Sequence, residues 1–321
     1  MYRDRTVAVV VPCHNEQLLI RRVIETMPAF VDKIVIVNDK STDNTAAVVS
    51  EYVEKEPDRV VLIDLEINQG VGGAIAQGYI WCRDNKIQCT AVMAGDAQMD
   101  PADLPSLLDP IVENRADYSK GNRLFYDDAF KMIPKVRFFG NSGLSLLTKI
   151  ASGYWHVADS QTGYTVANLR VLQTLNLEGI YKRYGMPNDV LVKLNVYNFR
   201  VKDVPIKPVY GVGEKSGIKV RKVLFTIPVL LLRLFIYRLT RKYIIHDTHP
   251  LVLFYLLGFF LLAVDVPLII RAIMRYAMTH SGDAVSNVNL LAILFCTFIG
   301  FQSLFFAMLF DMEANRDLKG D

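Results

Sequence analysis

Short apolar runs alternate with amphipathic segments over the first two hundred residues of the chain. Runs rich in β-branched residues occupy positions 7–11, 33–37, 60–63 and 90–93, with helical patterns at 16–27, 43–54 and 71–82 between them. Such runs predict buried strands, and strands alternating with helices predict a parallel sheet with helices on both faces. The pattern therefore indicates an α/β domain, which we bound at residues 1–214.

Two much longer apolar segments follow. Residues 251–270 carry one charge, Asp265, and residues 288–310 carry none. About 20 helical residues span a hydrocarbon core of ~30 Å. Since a short polar turn separates the segments, we predict a transmembrane hairpin over 250–311, with helices at 250–273 and 288–310. Two long core helices are the alternative. An acid within a membrane span can be functional, but Pro267 and Arg271 favour a position for Asp265 near the outer end of the first helix.

A basic segment precedes the predicted hairpin. Residues 215–249 hold eight Lys and Arg against one acid, a local charge of 8 − 1 = +7 in a chain whose net charge is +3. The positive-inside rule then puts the large domain and the tail, 312–321, in the cytoplasm of a cell membrane or an endoplasmic-reticulum-type membrane. The apolar stretch 223–239 is interrupted by Arg233 and Arg238. This favours a helix in the membrane interface over a third span.

Composition narrows the class of protein further. Hydrophobic residues make up 51% of the 321 positions and charged residues 21%. These values exclude a disordered chain and a disulfide scaffold, and the small net charge argues against a nucleic-acid binder. The four cysteines form no CxxC pair, so we expect buried, reduced thiols. The first apolar run ends at Pro12 and is too short for a signal peptide.

Polar residues and glycines follow each of the four predicted strands, at 12–16, 38–45, 68–74 and 94–101. Ligands of α/β sheets bind beyond the carboxyl ends of the strands. Any one segment could be turn chemistry, and Asn15 or Asp43 could be a helix cap. Four together predict a nucleotide-sized polar cleft. The glycines at 70, 72 and 73 do not match GxGxxG, which disfavours a dinucleotide fold.

In this order and spacing, the four segments resemble family 2 glycosyltransferases with the GT-A fold. Further along, GNRLF at 121–125, the stretch from Arg137 to Asn141, DSQTGY at 159–164 and YGVGEKSGIK at 210–219 resemble polyprenyl-phosphate glycosyltransferases of the dolichyl-phosphate mannose synthase type. The resemblance covers about residues 5–220. The two-helix anchor matches one branch of that family.

The resemblance implies a donor site. Asp96 and Gln98 would hold Mg²⁺ or Mn²⁺ on the diphosphate of a sugar nucleotide, where oxygen ligands suit a hard cation that neutralises the leaving group. The family's metal motif usually has an additional Asp where this chain has Ala94, so Asp100 is a less favoured helper. The nucleotide pocket would be lined by Pro12, Asn15 and Glu16, with Asp39 on the base or ribose.

The resemblance also implies an acceptor side. Arg123 and Arg137 would lie near the acceptor phosphate, which a guanidinium can grip with two hydrogen bonds; solvated surface arginines are the alternative. Asp159 and Gln161 would lie near the reacting sugar, where Asp159 orients a hydroxyl or stabilises positive charge. Four further substrate-binding positions follow from the matching segments: Asn141, Asp189, which could equally cap a helix, and Lys215 and Ser216, which would close over the diphosphate.

The expected activity is inverting transfer of a hexose from a UDP- or GDP-sugar to undecaprenyl or dolichyl phosphate at the cytoplasmic face. A phosphate monoester has a second pKa of ~6, so it needs positioning more than a general base. Two alternatives stay open: a transferase acting on a polysaccharide or another lipid head group, and a non-catalytic nucleotide-sugar-binding membrane protein, which Ala94 keeps in view. The sugar, the base, the polyprenol length and the oligomeric state stay open as well.

Overall fold

The computed structural model describes residues 1–125, 135–207, 209, 220–279 and 286–320, with backbone only at 135–142, 220–225 and 279. The chain divides into two compact units. The first contains residues 1–238 together with 317–321, and the second contains residues 239–316.

A seven-stranded mixed sheet forms the centre of the first unit. Its strands are β1 (Val7–Cys13), β2 (Lys33–Asn38), β3 (Val60–Asp64), β4 (Cys89–Val92), β5 (Tyr118–Asn122), β6 (Thr165–Asn168) and β7 (Val201–Pro205). Their order is β3-β2-β1-β4-β6-β5-β7. The predicted parallel arrangement is confirmed for β1 to β4, but β6 runs antiparallel to both β4 and β5.

Helices cover both faces of the sheet. Among the described residues, the α-helices in chain order are α1 (Ile20–Glu25), α2 (Thr45–Lys55), α3 (Val71–Asp84), α4 (Leu104–Val112), α5 (Lys135–Ser152), α6 (Leu169–Thr174), α7 (Met186–Val196), α8 (Val220–Thr240), α9 (Leu251–Thr279) and α10 (Asn287–Ala314). Successive residues of a strand point to opposite faces. The side chains of β1 are therefore divided between two cores: Val10 packs with α3 and α7 residues, whereas Val9 and Val11 pack with α1, α2 and α4 residues.

Helix α1 begins four residues later than the pattern predicts. Asn15 has a φ of +60°, in the left-handed region, and the chain turns sharply just after β1. The carbonyl of Glu16 accepts hydrogen bonds from the amides of both Leu19 and Ile20, and residues 17–19 form a turn that leads into the helix. The sharp turn keeps the residues after β1 at the edge of the sheet.

In the second unit, two of the described helices are long and apolar enough to cross a membrane, over Leu251–Met278 and Asn287–Ala314. They pack closely at Gly258 and Gly300: a Cβ on Gly258 would lie 3.0 Å from the carbonyl oxygen of Gly300. Small residues at such a crossing are typical of membrane helices. Large apolar side chains such as Phe260 and Phe298 are exposed. Exposed apolar surface of this extent suits a lipid-facing hairpin rather than core helices.

Asp265 lies midway along α9, and the expectation that it sits near the end of the helix is wrong. The helix continues through Pro267 to Thr279. Proline is tolerated within membrane helices because neighbouring groups satisfy the freed backbone. Asp265 is buried, and one of its oxygens accepts a hydrogen bond from the hydroxyl of Thr297 on α10.

Arg238 on α8 is completely buried in the first unit. Its Nε donates to the carbonyl of Ala151 at 2.9 Å and an Nη donates to the carbonyl of Ile150 at 3.0 Å. These are among the last carbonyls of α5, which have no partner within their own helix, and a cation suits that end of the helix dipole. The residue after α5, Gly153, has a φ of +76°, and a Cβ there would lie 2.4 Å from Arg238.

Two of the eight basic residues counted before the hairpin are thus used inside the protein. Arg238 caps α5, and Lys242 is buried in the second unit, where its Nζ donates to Oδ1 of Asn315 at 2.7 Å. The charge that the sequence assigns to the membrane surface is correspondingly smaller.

We expect Arg238→Met to lower the free energy of unfolding by about 2–4 kcal/mol, because buried carbonyls lose a charged donor. Arg233→Met, at an exposed position of the same helix, is the matched control and should change stability little. Thermal unfolding of the full chain in detergent measures both. Equal shifts in the two variants would contradict the capping role.

Candidate active site

The reversed strand β6 brings the site together. Thr165, its first residue, pairs with Val92 at the carboxyl end of β4 and with Lys120 near the carboxyl end of β5. The segment before β6, which carries Asp159 and Gln161, therefore lies at the same edge as the loops that follow β1, β2, β4 and β5. A parallel β6 would have placed that segment at the opposite edge.

The loops after β1 and β2 are hydrogen-bonded to each other. Oδ1 of Asn15 accepts from the amide of Thr42 at 2.7 Å, and the amide of Glu16 donates to the Thr45 hydroxyl at 2.9 Å. Asp43 accepts from the amide of Thr45, the first residue of α2. The Asp43 carboxylate thus accepts at the start of α2, although the N-cap residue is Asn44, whose side chain makes no capping hydrogen bond. Asn15 bridges two loops and does not cap α1.

Asp39 connects these loops to the glycine segment after β3. Its carboxylate is buried and accepts from the amides of Gln69 at 2.6 Å and Gly70 at 2.8 Å. Gly70 has a φ of +79°, and a Cβ there would lie 2.6 Å from the carbonyl of Lys182, so only glycine fits. Carboxylate oxygens can accept more than one hydrogen bond. The predicted contact of Asp39 with a base or ribose stays a prediction.

Asp96 and Gln98 follow β4 in a tight turn. Oδ1 of Asp96 accepts from the amide of Gln98 at 3.1 Å, and Ala97 between them has a φ of +56°. Burial raises the pKa of Glu16, and the nearby Asp96 carboxylate raises it further. Two acids from different loops therefore face a common region, where a cation would relieve their repulsion.

The donor set at this turn fits a hard cation only in part. Among the described residues no group of three or more His, Cys, Asp or Glu side chains could hold a metal ion. The side-chain amide nitrogen of Gln98 is buried and has no hydrogen-bond partner. Mg²⁺ and Mn²⁺ commonly complete their shells with substrate phosphates and water. Asp96 and the carbonyl oxygen of Gln98 could supply the protein ligands, and the orphaned N–H suits a phosphate oxygen.

Arg123 and Asp159 form an ion pair. Nε of Arg123 donates to Oδ2 at 2.8 Å and an Nη donates to Oδ1 at 3.2 Å, so the contact is bidentate. Asp159 has no exposed surface, whereas 24% of the Arg123 side chain is exposed. Burial alone would raise the pKa of Asp159, but the charge and hydrogen bonds of Arg123 outweigh it and hold that pKa below its usual value. Asp159 is thus an ionised carboxylate at neutral pH.

Gln161 is oriented by a residue that the sequence does not single out. Its Nε2 donates to Oδ1 of Asn188 at 3.0 Å, and Asn188 also accepts from the hydroxyl of Thr148 on α5. The adjacent Asp189 accepts from the amide of Tyr181 and from Nζ of Lys193, one turn further along α7. These contacts are structural, but they do not cap α7, whose N-cap residue is Gly185. An Asn in the first turn of a helix is ordinary, so the pattern alone gives no signal for Asn188.

The other predicted site residues are described less fully. Pro12 is buried at the end of β1. Arg137 and Asn141 lie on α5, but their side chains are outside the described residues, as are Lys215 and Ser216 altogether. The four cysteines are buried and unbridged, as expected. Burial raises the pKa of Cys13 to about 12, which suits a wall residue and not a thiolate.

An open cavity of about 530 Å³ adjoins the turn after β4 from the side of α1. Ala94, Ala97 and Met99 line it together with Arg22 and Thr26. Neither Asp96, Gln98, Arg123 nor Asp159 contributes to its wall. We assign the functional site from the converging polar groups at the sheet edge, since the cavity is lined mainly by apolar groups.

Comparison with known proteins identifies the family. The model of a family described as Glycosyl transferase family 2 matches residues 8–175. A UDP-N-acetylglucosamine–dolichyl-phosphate N-acetylglucosaminyltransferase of Methanococcus voltae is 29% identical over 64% of this chain and 87% of its own. A polyprenol monophosphomannose synthase of Mycolicibacterium smegmatis is 26% identical over 68% and 84%.

A solved structure shares the fold. Glucosyl-3-phosphoglycerate synthase from Mycobacterium tuberculosis, determined with Mn²⁺, UDP and phosphoglyceric acid, aligns with a TM-score of 0.54 and 18% identity. The alignment covers 73% of this chain and 78% of that one. The predicted GT-A-type architecture is therefore confirmed.

We expect Asp39→Asn to destabilise the junction of the three loops, because its NH₂ group would face a backbone N–H in place of an accepting oxygen. Loss of a hydrogen bond to a charged group costs about 1.5–3 kcal/mol. Glu66→Gln, an exposed charge-matched change in the loop after β3, should be neutral. Denaturant unfolding of both variants measures the difference, and the same stability in both would show that Asp39 does not hold the glycine segment.

Proposed function

The chain belongs to glycosyl transferase family 2, and we propose that it transfers a hexose from a nucleotide diphospho-sugar to a polyprenyl phosphate. The observation that carries the proposal is the convergence of two polar groups at one sheet edge. Asp96 and Gln98 form the first, and the Arg123–Asp159 pair forms the second. The names of the relatives support the acceptor, since both name a polyprenol or dolichyl phosphate.

On the donor side, the nucleotide would lie against Pro12, Asn15, Glu16 and Asp39, with Lys215 and Ser216 over the diphosphate. Asp96 and Gln98 would hold a divalent cation, whose positive charge offsets the charge of the leaving diphosphate. The solved neighbour with Mn²⁺ and UDP supports both a metal and a uridine nucleotide. The buried N–H of Gln98 would donate to a phosphate oxygen, which gives that orphaned group a partner.

On the acceptor side, a phosphate oxygen of the lipid would attack the anomeric carbon. The bond from that carbon to the new phosphate oxygen forms as its bond to the nucleotide diphosphate breaks, and a single displacement inverts the configuration. The monoester is largely dianionic at neutral pH, with a second pKa of ~6, so no general base is required. Arg123, Arg137 and Asn141 would position it.

Asp159 has two tasks in this mechanism. It fixes the plane of the Arg123 guanidinium through the bidentate contact, and its charge stabilises the positive character that develops at the anomeric carbon. Its lowered pKa keeps it ionised for both tasks. Gln161, oriented by Asn188, would contact the sugar, and Asp189 would support this side through the start of α7.

The reaction would take place at the cytoplasmic face of the membrane, where the two apolar helices keep the enzyme beside its lipid acceptor. The remaining positive charge of residues 215–249 supports this orientation. The rival reading is a non-catalytic nucleotide-sugar-binding protein. Ala94 favours it, since that position carries no carboxylate.

Transfer is tested with the purified full chain in detergent, a panel of UDP- and GDP-sugars and a short polyprenyl phosphate. We expect a polyprenyl phospho-sugar and a free nucleoside diphosphate by mass spectrometry, with one donor strongly preferred. Excess chelator and Asp96→Asn should each abolish transfer, whereas Asp58→Asn at an exposed position should not. Nucleotide binding without turnover of any donor would support the rival, and full activity in chelator would refute the metal.

The topology is tested by reporter insertion. A reporter after Asp321 or within the exposed loop at Asp58 should be cytoplasmic, and one inserted at Gly282 should lie on the other side of the membrane. The physical reason is the excess of basic residues on the cytoplasmic side of the hairpin. Finding all three reporters on one side would mean that the hairpin does not span.

A further inference from the structure

A second pair of ionisable side chains, Lys120 and Asp203, contacts the residues that flank Arg123 and Asp159 in the sequence. They are directly opposite each other in the parallel ladder between β5 and β7. We propose that Lys120 and Asp203 are positioning residues that hold the Arg123–Asp159 pair in its working geometry. The proposal rests on the proposed function for the step that Arg123 and Asp159 perform, but not for the interactions themselves.

Asp203 contacts the residue that precedes each member of the pair. Its Oδ2 accepts from Nδ2 of Asn122 at 2.5 Å and from the amide of Ala158 at 2.9 Å. Asn122 immediately precedes Arg123, and Ala158 immediately precedes Asp159. One carboxylate oxygen thereby fixes the distance between the strand end that carries the arginine and the loop that carries the aspartate.

Lys120 holds the other end of the same loop. Its Nζ donates to the carbonyl of Thr162, three residues after Asp159. The segment from Ala158 to Thr162 is therefore fastened at both ends by a pair of neighbouring strand residues. Asp159 and Gln161 lie within this fastened segment.

The charges of the four side chains balance. Lys120 is 1% exposed, and burial lowers its pKa while the carboxylates of Asp159 and Asp203 oppose the shift. Burial likewise raises the pKa of Asp203, and Lys120 opposes it. Arg123 is the remaining charged group that acts on Lys120. Removing either Lys120 or Asp203 alone would leave a net charge in a region with little water, which is strongly unfavourable.

Stability alone does not explain why Lys120 and Asp203 are charged side chains. Oδ1 of Asp203 is buried without a hydrogen-bond partner, and such groups in native structures call for an explanation. A buried ion pair can often be replaced by neutral side chains of similar size without loss of stability. A role in orienting the neighbouring ion pair accounts for its presence here, where stability alone does not.

The test compares Lys120→Met, Asp203→Ala, Asp203→Asn and the double variant Lys120→Met/Asp203→Asn. Asn at 203 keeps an oxygen that accepts from Asn122 and Ala158, whereas Ala removes it. Lys202→Met, the neighbouring residue on β7 that points to the opposite face, is the charge-matched control. Nucleotide affinity is measured by calorimetry. The kcat and the KM for the lipid acceptor are measured at saturating donor, and stability is measured by thermal unfolding.

We expect Lys120→Met and Asp203→Ala each to lower kcat by about ten- to a hundred-fold, with nucleotide affinity changed less than about threefold. Adding Asp203→Asn to Lys120→Met should raise kcat again by about tenfold, because the charge is balanced and residue 203 still accepts from the Asn122 side chain and the Ala158 amide. The alkaline limb of the kcat profile, which Lys120 should set below the usual lysine range, should be absent from the double variant.

The proposal is overturned if adding Asp203→Asn to Lys120→Met lowers kcat further. If the two side chains only fill space, Asp203→Asn will worsen Lys120→Met, and the losses will multiply. A loss that appears in nucleotide affinity would also contradict it. If Asp203→Ala does not fold, the comparison of Lys120→Met with the double variant still decides. If the wild-type chain transfers no sugar, thermal stability still tests the pair separately from the proposed function. The double variant should then be more stable than Lys120→Met.

Discussion

The carboxylate of Asp159 has no exposed surface, and a charge buried in this way must be paired and hydrogen-bonded. Most of the described contacts in the proposed acceptor half of the site compensate this buried charge. Arg123 supplies the opposing charge through a bidentate contact. The surrounding backbone is held by side chains from β5 and β7. Because the compensating groups come from neighbouring strands and the loop before β6, the geometry of this half of the site depends on the sheet order.

In the proposed donor half, the carboxylates and amide oxygens are held by backbone N–H donors instead. Asp39 accepts hydrogen bonds from the amides of two consecutive residues. Asn15 and Asp43 each accept a hydrogen bond from a backbone amide of the neighbouring loop. These contacts fix the loops but leave few side-chain charges to bind a metal. A cation between Asp96 and a diphosphate would then be held largely by its substrate. This is consistent with a chain in which Ala94 replaces an expected acid.

The basic segment at residues 215–249 shows that a positively charged residue in such a stretch need not lie at the protein surface. Arg238 belongs by composition to a basic, amphipathic stretch, yet it caps α5 from within the first unit. Helix α5 carries Arg137 and Asn141, so the cap supports a helix that contributes two candidate acceptor residues. The apolar segments behave as their composition predicts, since they form two long helices with exposed aromatic side chains.

The sequence by itself determined the local features of this protein. The first four strands, the alternation with helices, the apolar hairpin and the polar residues after each strand all follow from side-chain periodicity and turn chemistry, which act over a few residues. The family resemblance added the proposed roles of Asp96, Arg123 and Asp159. Only the tertiary structure decided which of these groups meet. The contact of Arg123 with Asp159, the support from Asn188 and the burial of Arg238 join residues 27 to 87 positions apart. Such contacts, like the reversal of β6, are set by strand order and packing, which local sequence patterns do not encode.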